Sequence, residues 1–130
     1  MVNLIIPLGA LNAFLAVAAG AFAAHGLKET LSPEYITTFK TAADYQMIHG
    51  LGMILIGLLN KYETTRGNTS SAVFMFGGIL LFSGSLYLLT LTGTRWLGII
   101  TPVGGVFFLI AWLILCFSHL PTKNQKTSSK

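Results

Sequence analysis

The sequence predicts an all-α integral membrane protein, a four-helix bundle with an amphipathic extension preceding the second membrane-spanning helix. Apolar stretches at residues 2–24, 45–60, 72–92 and 99–120 fill most of the 130 residues, and almost every charge lies in the gaps between them. A run of about 20 apolar residues rising about 1.5 Å each crosses a hydrocarbon core of about 30 Å, where only a helix satisfies its backbone within one segment. The chain is 53% hydrophobic and 9% charged, too few charges for the surface of a soluble domain of this size. Residues 1–120 are therefore expected to form a single four-helix transmembrane domain, and residues 121–130 a polar, basic and disordered tail.

In the first span Ala21-Phe22-Ala23 has the small-x-small form of a signal-peptidase site. Met1-Val2-Asn3 carries no basic residue, however, and the apolar run is about twice an ordinary signal core of about 7–15 residues. An uncleaved helix is expected. Projected at about 100° per residue, Gly9, Asn12, Ala16, Ala19, Ala23 and Gly26 share one side and Leu11, Phe14 and Phe22 the other. Small residues at this spacing let helix backbones approach closely where water supplies no drive. Asn12, near mid-depth, is placed to bond a neighbouring helix.

Ser32-Pro33-Glu34 reads as an N-cap, a proline at the first helical position and a carboxylate at the positive helix end. From there Tyr35, Ile36, Phe39 and Ala43 make an apolar face opposite Thr37, Thr41 and Asp44, the pattern of a segment lying on a membrane surface. It enters the second span without a breaker. A helix from residue 33 to 60 measures about 42 Å, longer than the core, so its first turns protrude, tilt or bend along the interface. The span itself carries an inward stripe of Phe39, Gln46, His49, Gly50, Met53, Gly57 and Asn60, with Ile48, Leu51, Leu55 and Leu59 towards lipid.

Residues 61–71 read as a polar loop. The third span turns Ser83, Tyr87 and Thr90 inward, bordered by Gly77 and Gly84. Residues 93–98 form a tight turn in which Trp96 is an interfacial anchor. In the fourth span Thr101, Gly105, Phe108, Trp112, Cys116 and His119 share the inward side, opposite Val103, Phe107, Ile110 and Ile114. Lys61, Arg66, Lys123, Lys126 and Lys130 fall on one side of the membrane against Lys28, Lys40 and Arg95 on the other. The positive-inside rule then places both termini in the cytoplasm.

Several function classes are disfavoured by the residues. The net charge of +4 is scattered over loops and tail rather than gathered into a basic stripe, so nucleic acid is not an expected partner. Cys116 is the only cysteine, which precludes an intrachain disulfide and a Cys-based ligand set. His25, His49 and His119 do not gather at one depth, so no metal or cofactor is expected. HExxH, GxSxG and P-loop patterns are absent, and Asp44 projects away from Gln46, which argues against an enzyme.

One candidate site remains. His49 lies about 7.5 Å below Asp44, and Tyr87 about as far below Thr92, so the two share a level. Gln46, His49, Tyr87, Thr90 and Thr101 are expected to meet in this half of the bundle. As interhelical hydrogen-bond glue they contribute about 0.5–2 kcal/mol per contact. The alternative is a small-solute or proton pathway through His49, since ionisable groups within membranes commonly line such paths. The leading expectation is a non-enzymatic structural or accessory membrane component, its partners the lipid bilayer and either further copies of the chain or another membrane protein.

Residues 20–27 (GAFAAHGL), 45–54 (YQMIHGLGMI), 80–93 (LLFSGSLYLLTLTG) and 100–115 (ITPVGGVFFLIAWLIL), taken in this order, carry a family resemblance. They resemble the small bacterial membrane proteins of domain of unknown function 423, related to eukaryotic transmembrane protein 256. The resemblance runs from about residue 8 to 117. It implies a four-helix protein of the bacterial inner (plasma) membrane with no established activity, and it supplies no catalytic residue. It also draws attention to His25 with Gly26, and to Tyr45 and Gln46 with His49. Ala23 and Ile48 depart from the pattern, standing where a glycine and an aromatic are common.

Overall fold

A computed structural model describes residues 4–120. The tail expected at 121–130, and Met1-Val2-Asn3, lie outside the described residues. Among the described residues four helices are long and apolar enough to cross a membrane. These are α1 (Ile5–His25), α2 (Pro33–Tyr62), α3 (Arg66–Thr92) and α4 (Thr101–Ser118), the last preceded by a 3₁₀ turn at Arg95–Ile99. One end of the bundle holds the α2–α3 turn, the start of α1 and the close of α4. The other, the loop end, holds the two remaining connections. α2 and α3 pack side by side at the centre, with α1 against α2 and α4 against α3. α2 is the most enclosed helix and α4 the least.

Local chemistry sets the helix boundaries. Ser32 caps α2, its hydroxyl accepting from the Tyr35 N–H at 3.3 Å, and Thr65 caps α3 by accepting from the Asn68 N–H at 3.0 Å. α3 ends where Gly93 turns left-handed, φ 69°, and its N–H bonds the Leu89 carbonyl. Only glycine takes that conformation without a Cβ penalty.

Two backbone contacts hold the helices together. At the α1–α2 crossing a Cβ on Gly9 would lie 2.7 Å from the Gly50 carbonyl oxygen, and one on Gly50 would lie 3.0 Å from that of Gly9. At the α3–α4 crossing a Cβ on Gly104 would lie 2.3 Å from the Phe82 nitrogen. The α3 backbone met there belongs to a single π-helical turn, Ile79–Ser83, closed by the Gly84 N–H on the Ile79 carbonyl. Around these contacts Ile5, Met53, Ile56, Ala72, Met75, Ile79, Phe108 and Ala111 form the main core. A second cluster of Ala23, Leu27 and Phe39 closes the loop end.

Four expectations need correction. The loop expected at 61–71 is confined to three residues between Tyr62 and Arg66, because the Thr65 cap starts α3 early and carries Asn68 and Ser71 into the interior. The segment from Pro33 runs into the second span without a break, as its sequence implies, but its Phe39 packs over Tyr87, ring centres 4.7 Å apart, instead of facing lipid headgroups. The inward face of α4 is Gly104, Phe108 and Ala111, while Trp112, Cys116 and His119 are exposed. Gly104, rather than Gly105, must meet α3 there. In α3, Gly78 rather than Gly77 is buried, lying beneath the Phe108 ring. The π turn beyond it holds an extra residue, which rotates everything after it by about one residue, roughly 100°. Ser85 thereby joins Ser83 and Thr90 on the buried side.

Gly50→Val is expected to lower stability by about 1–3 kcal/mol, since its side chain must force two helix backbones apart. A Cβ at Gly20 would meet nothing within 4 Å, so Gly20→Ala is the control and should be neutral or mildly stabilising. Reversible unfolding in mixed micelles checks both.

Candidate functional site

Four of the five residues expected to form one cluster occupy three places, and Thr90 stands apart from them. The first is a hydrogen-bonded chain across three helices. Tyr87 on α3 donates its hydroxyl proton to Gln46 Oε1 on α2 at 2.8 Å. Gln46 Nε2 donates to Asn12 Oδ1 on α1 at 3.2 Å, and Asn12 Nδ2 donates to the Leu8 carbonyl at 2.9 Å. Asn12 and Gln46 are each 6% exposed, so each amide depends on the other for the partner that lipid cannot supply. Phe39 roofs the chain by lying over Tyr87, with Phe22 edge-on beyond it.

His49 stands on a different side of α2. Three residues separate it from Gln46, which turns the two side chains about 60° apart. Its ring stacks face to face on Phe108, centres 3.4 Å apart and planes within 9°. Nδ1 lies 2.7 Å from the Tyr45 carbonyl and must donate, since that oxygen only accepts. Nε2 accepts from the indole N–H of Trp112 at 3.1 Å. Together these bonds select the neutral Nδ1–H tautomer, because a proton on Nε2 would set two N–H groups against each other.

The third place joins Thr101 on α4 to Ser85 on α3 at 2.8 Å. Ser85 already donates to the Phe82 carbonyl, which leaves Thr101 as the donor. Thr90 reaches none of these groups. Its hydroxyl back-bonds to the Leu86 and Tyr87 carbonyls of its own helix. His25 ends α1 on an exposed face, and its ring has no hydrogen-bond partner among the described residues.

Other polar contacts were not anticipated. Near the terminal end His119 Nε2 lies 2.8 Å from Asn68 Oδ1, which is buried, and the Ser71 hydroxyl donates to the Ala111 carbonyl at 2.7 Å. The signal for both was the Thr65 cap, which puts Asn68 and Ser71 on a helix. For His49 the signal was Trp112, whose indole N–H requires an acceptor when placed inside a membrane. Two buried side chains have no such partner among the described residues: the Ser83 hydroxyl, on the π turn, and the Asn60 amide.

Two grooves open to lipid beside these groups. One, about 290 Å³, runs between α1 and α3, with Asn12, Gln46, Ser83 and Tyr87 along a wall otherwise made by leucines, Phe76 and Ile79. The other, about 580 Å³, runs between α2 and α4 and is lined by Tyr45, His49, Phe82, Phe108 and Trp112 among others.

The family model described as protein of unknown function (DUF423) matches residues 19–105, a stretch that contains α2, α3, the hydrogen-bonded pairs Gln46–Tyr87 and Ser85–Thr101, and the Gly104 crossing. The chain belongs to the DUF423 family. A protein named UPF0382 membrane protein from Staphylococcus epidermidis is 50% identical over 115 residues, 88% of this chain and 93% of the relative. A Staphylococcus aureus homologue is 49% identical over 114 residues, 87% and 92% of the two chains. UPF0382 membrane protein YwdK of Bacillus subtilis is 45% identical over 111 residues, 85% and 90%. No solved structure matches. Like these DUF423 relatives by name, the chain is a membrane protein, and its four apolar helices are the physical basis.

The separation of Gln46 from His49 has an energetic signature. In double-mutant cycles Gln46→Leu and Tyr87→Phe should couple by about 0.5–1.5 kcal/mol. Gln46→Leu and His49→Phe, which share no bond, should be additive within about 0.5 kcal/mol. Unfolding free energies in one micelle composition measure both terms.

Proposed function

We propose that this DUF423 protein is a non-enzymatic structural or accessory component of the bacterial plasma membrane, with both termini in the cytoplasm. The pairing of its intramembrane polar side chains carries the reading. Tyr87, Gln46 and Asn12 bond one another, Trp112 bonds His49, and Thr101 bonds Ser85. Each pair joins two helices, so this polarity goes into fixing helix positions, as packing requires where lipid offers no hydrogen bonds. The expected partners are lipid and a second copy of the chain or another membrane protein. The broad apolar surface of α4, on which Leu109, Leu113 and Phe117 are exposed, is available to either.

The competing reading, a proton or small-solute pathway through His49, makes a different forecast. Vesicles reconstituted with the protein should pass protons no faster than empty vesicles between pH 5 and 8. A pH-dependent flux that His49→Ala abolishes, with fold and oligomeric state retained, would overturn the accessory role. Orientation is tested with Cys116→Ser as background. A cysteine replacing Lys61 should react with impermeant maleimide only after cells are opened, and one replacing Arg95 should react in intact cells whose outer layers admit the reagent. The reverse pattern would refute the placement of the termini.

A further inference from the structure

The groove between α2 and α4, open to lipid, contains a donor and an acceptor that are bonded to each other. Trp112 supplies an indole N–H and His49, held as the Nδ1–H tautomer by the Tyr45 carbonyl, supplies the Nε2 lone pair. A hydroxyl group is the complement of this pair, since it can donate to Nε2 and accept from the indole N–H at once. The present 3.1 Å bond would then be replaced by two, provided the Trp112 ring moves outward by about one hydrogen-bond length, roughly 3 Å. That motion is available to it. Trp112 is 39% exposed on the least enclosed helix, and rotamer changes of this kind commonly accompany binding.

Depth narrows the chemistry. Counted from Asp44, the exposed carboxylate on α2, His49 lies about 7.5 Å in, below the boundary of a hydrocarbon core of about 30 Å. Phospholipid headgroups and glycerol esters stay at the boundary and do not reach this level. A ligand here must dissolve in the hydrocarbon and carry its hydroxyl on an apolar body.

The walls narrow it further. Tyr45 stacks on Phe82 with centres 4.5 Å apart, and Phe108 stacks on His49. Pro102, Gly105, Val106 and Leu109 complete the mouth. There is free space at Gly105, for a Cβ there would meet only the Phe82 ring, at 3.9 Å. Aromatic faces around one donor–acceptor pair suit a planar ring bearing a hydroxyl.

We infer that the α2/α4 groove binds a membrane-soluble phenol, the chemical class that includes isoprenoid quinols, with its hydroxyl inserted between His49 Nε2 and Trp112 Nε1. The inference is independent of the accessory role, since an accessory subunit, a carrier and an enzyme subunit could each hold such a molecule.

The test uses the full chain in lipid nanodiscs, following the indole N–H resonance of Trp112 in a Trp96→Phe background. Para-pentylphenol is the probe. Para-pentylanisole, its methyl ether, lacks the donor, and decanol lacks the ring. The phenol should shift the Trp112 resonance saturably, with the ether and decanol at least about tenfold weaker, as loss of one well-placed interaction implies. His49→Phe keeps an aromatic ring on Phe108 and should reduce phenol binding to the level of the ether. Gly105→Leu fills the mouth without touching the donor–acceptor pair, and should block the phenol while the free Trp112 signal and the thermal midpoint stay within those of the parent. Should His49→Phe misfold, the Gly105→Leu result decides alone. Equal shifts by phenol and ether would mean membrane partitioning only and would overturn the proposal, as would phenol binding that survives Gly105→Leu. Decanol matching the phenol would overturn the requirement for a ring.

Discussion

The contact between Gly9 and Gly50 governs the arrangement around it. Each glycine lacks the carbon that would strike the other's carbonyl oxygen, so α1 and α2 cross with backbones touching. The helices run antiparallel, and Asn12 and Gln46 both lie one turn from the crossing towards the loop end. Their side chains are brought together because the backbones already are, and Gln46 then has its other amide atom free for Tyr87. In a solvent as apolar as leucine, close packing of this kind is the main source of helix association.

The other half of the bundle repeats the device with different parts. Gly104 lies on the α3 backbone at Phe82, and one turn towards the loop end Thr101 meets Ser85. Here the approach involves a π turn, which displaces the helical register and leaves the Ser83 hydroxyl without the back-bond that Thr90 makes in regular helix. Backbone contact places a polar pair one turn away in both halves, so the hydrogen bonds fasten an approach that the glycines permit. At about 0.6 kcal/mol for an average intramembrane hydrogen bond, they tune a geometry that sterics has largely chosen.

α2 joins the halves by presenting different groups to its neighbours. Gln46 looks towards α1 and α3, and His49 towards α4. One set of bonds links three helices beside the smaller groove, about 290 Å³, while the other joins two helices beside the larger, about 580 Å³. This asymmetry separates the two kinds of role open to a polar group in a membrane. Gln46 has the surroundings of a joint. His49, with its tautomer set on one side and a partly exposed indole on the other, has the surroundings of a recognition group.

Much of this was legible in the chain. Length and apolarity determined four spans, because a helix is the only backbone arrangement that satisfies itself within one segment in lipid. Period 3.6 correctly turned Gly9, Asn12, Ala16 and Ala23 inward on α1, and Gln46, His49, Gly50 and Met53 inward on α2. On α3 it turned Ser83 and Thr90 inward but chose Gly77 over Gly78 and missed Ser85 beyond the π turn, and on α4 it held for Phe108 while Gly104 rather than Gly105 meets the backbone. It also could not distinguish Gln46 from His49, since two residues on one broad inward face can still serve different neighbours. By itself the sequence determined which helices form and which faces shun lipid, since both follow from local chemistry and the bilayer. Only the tertiary structure decided which polar groups touch, because that depends on backbone approaches between segments distant in sequence and on a fraction of a helical turn.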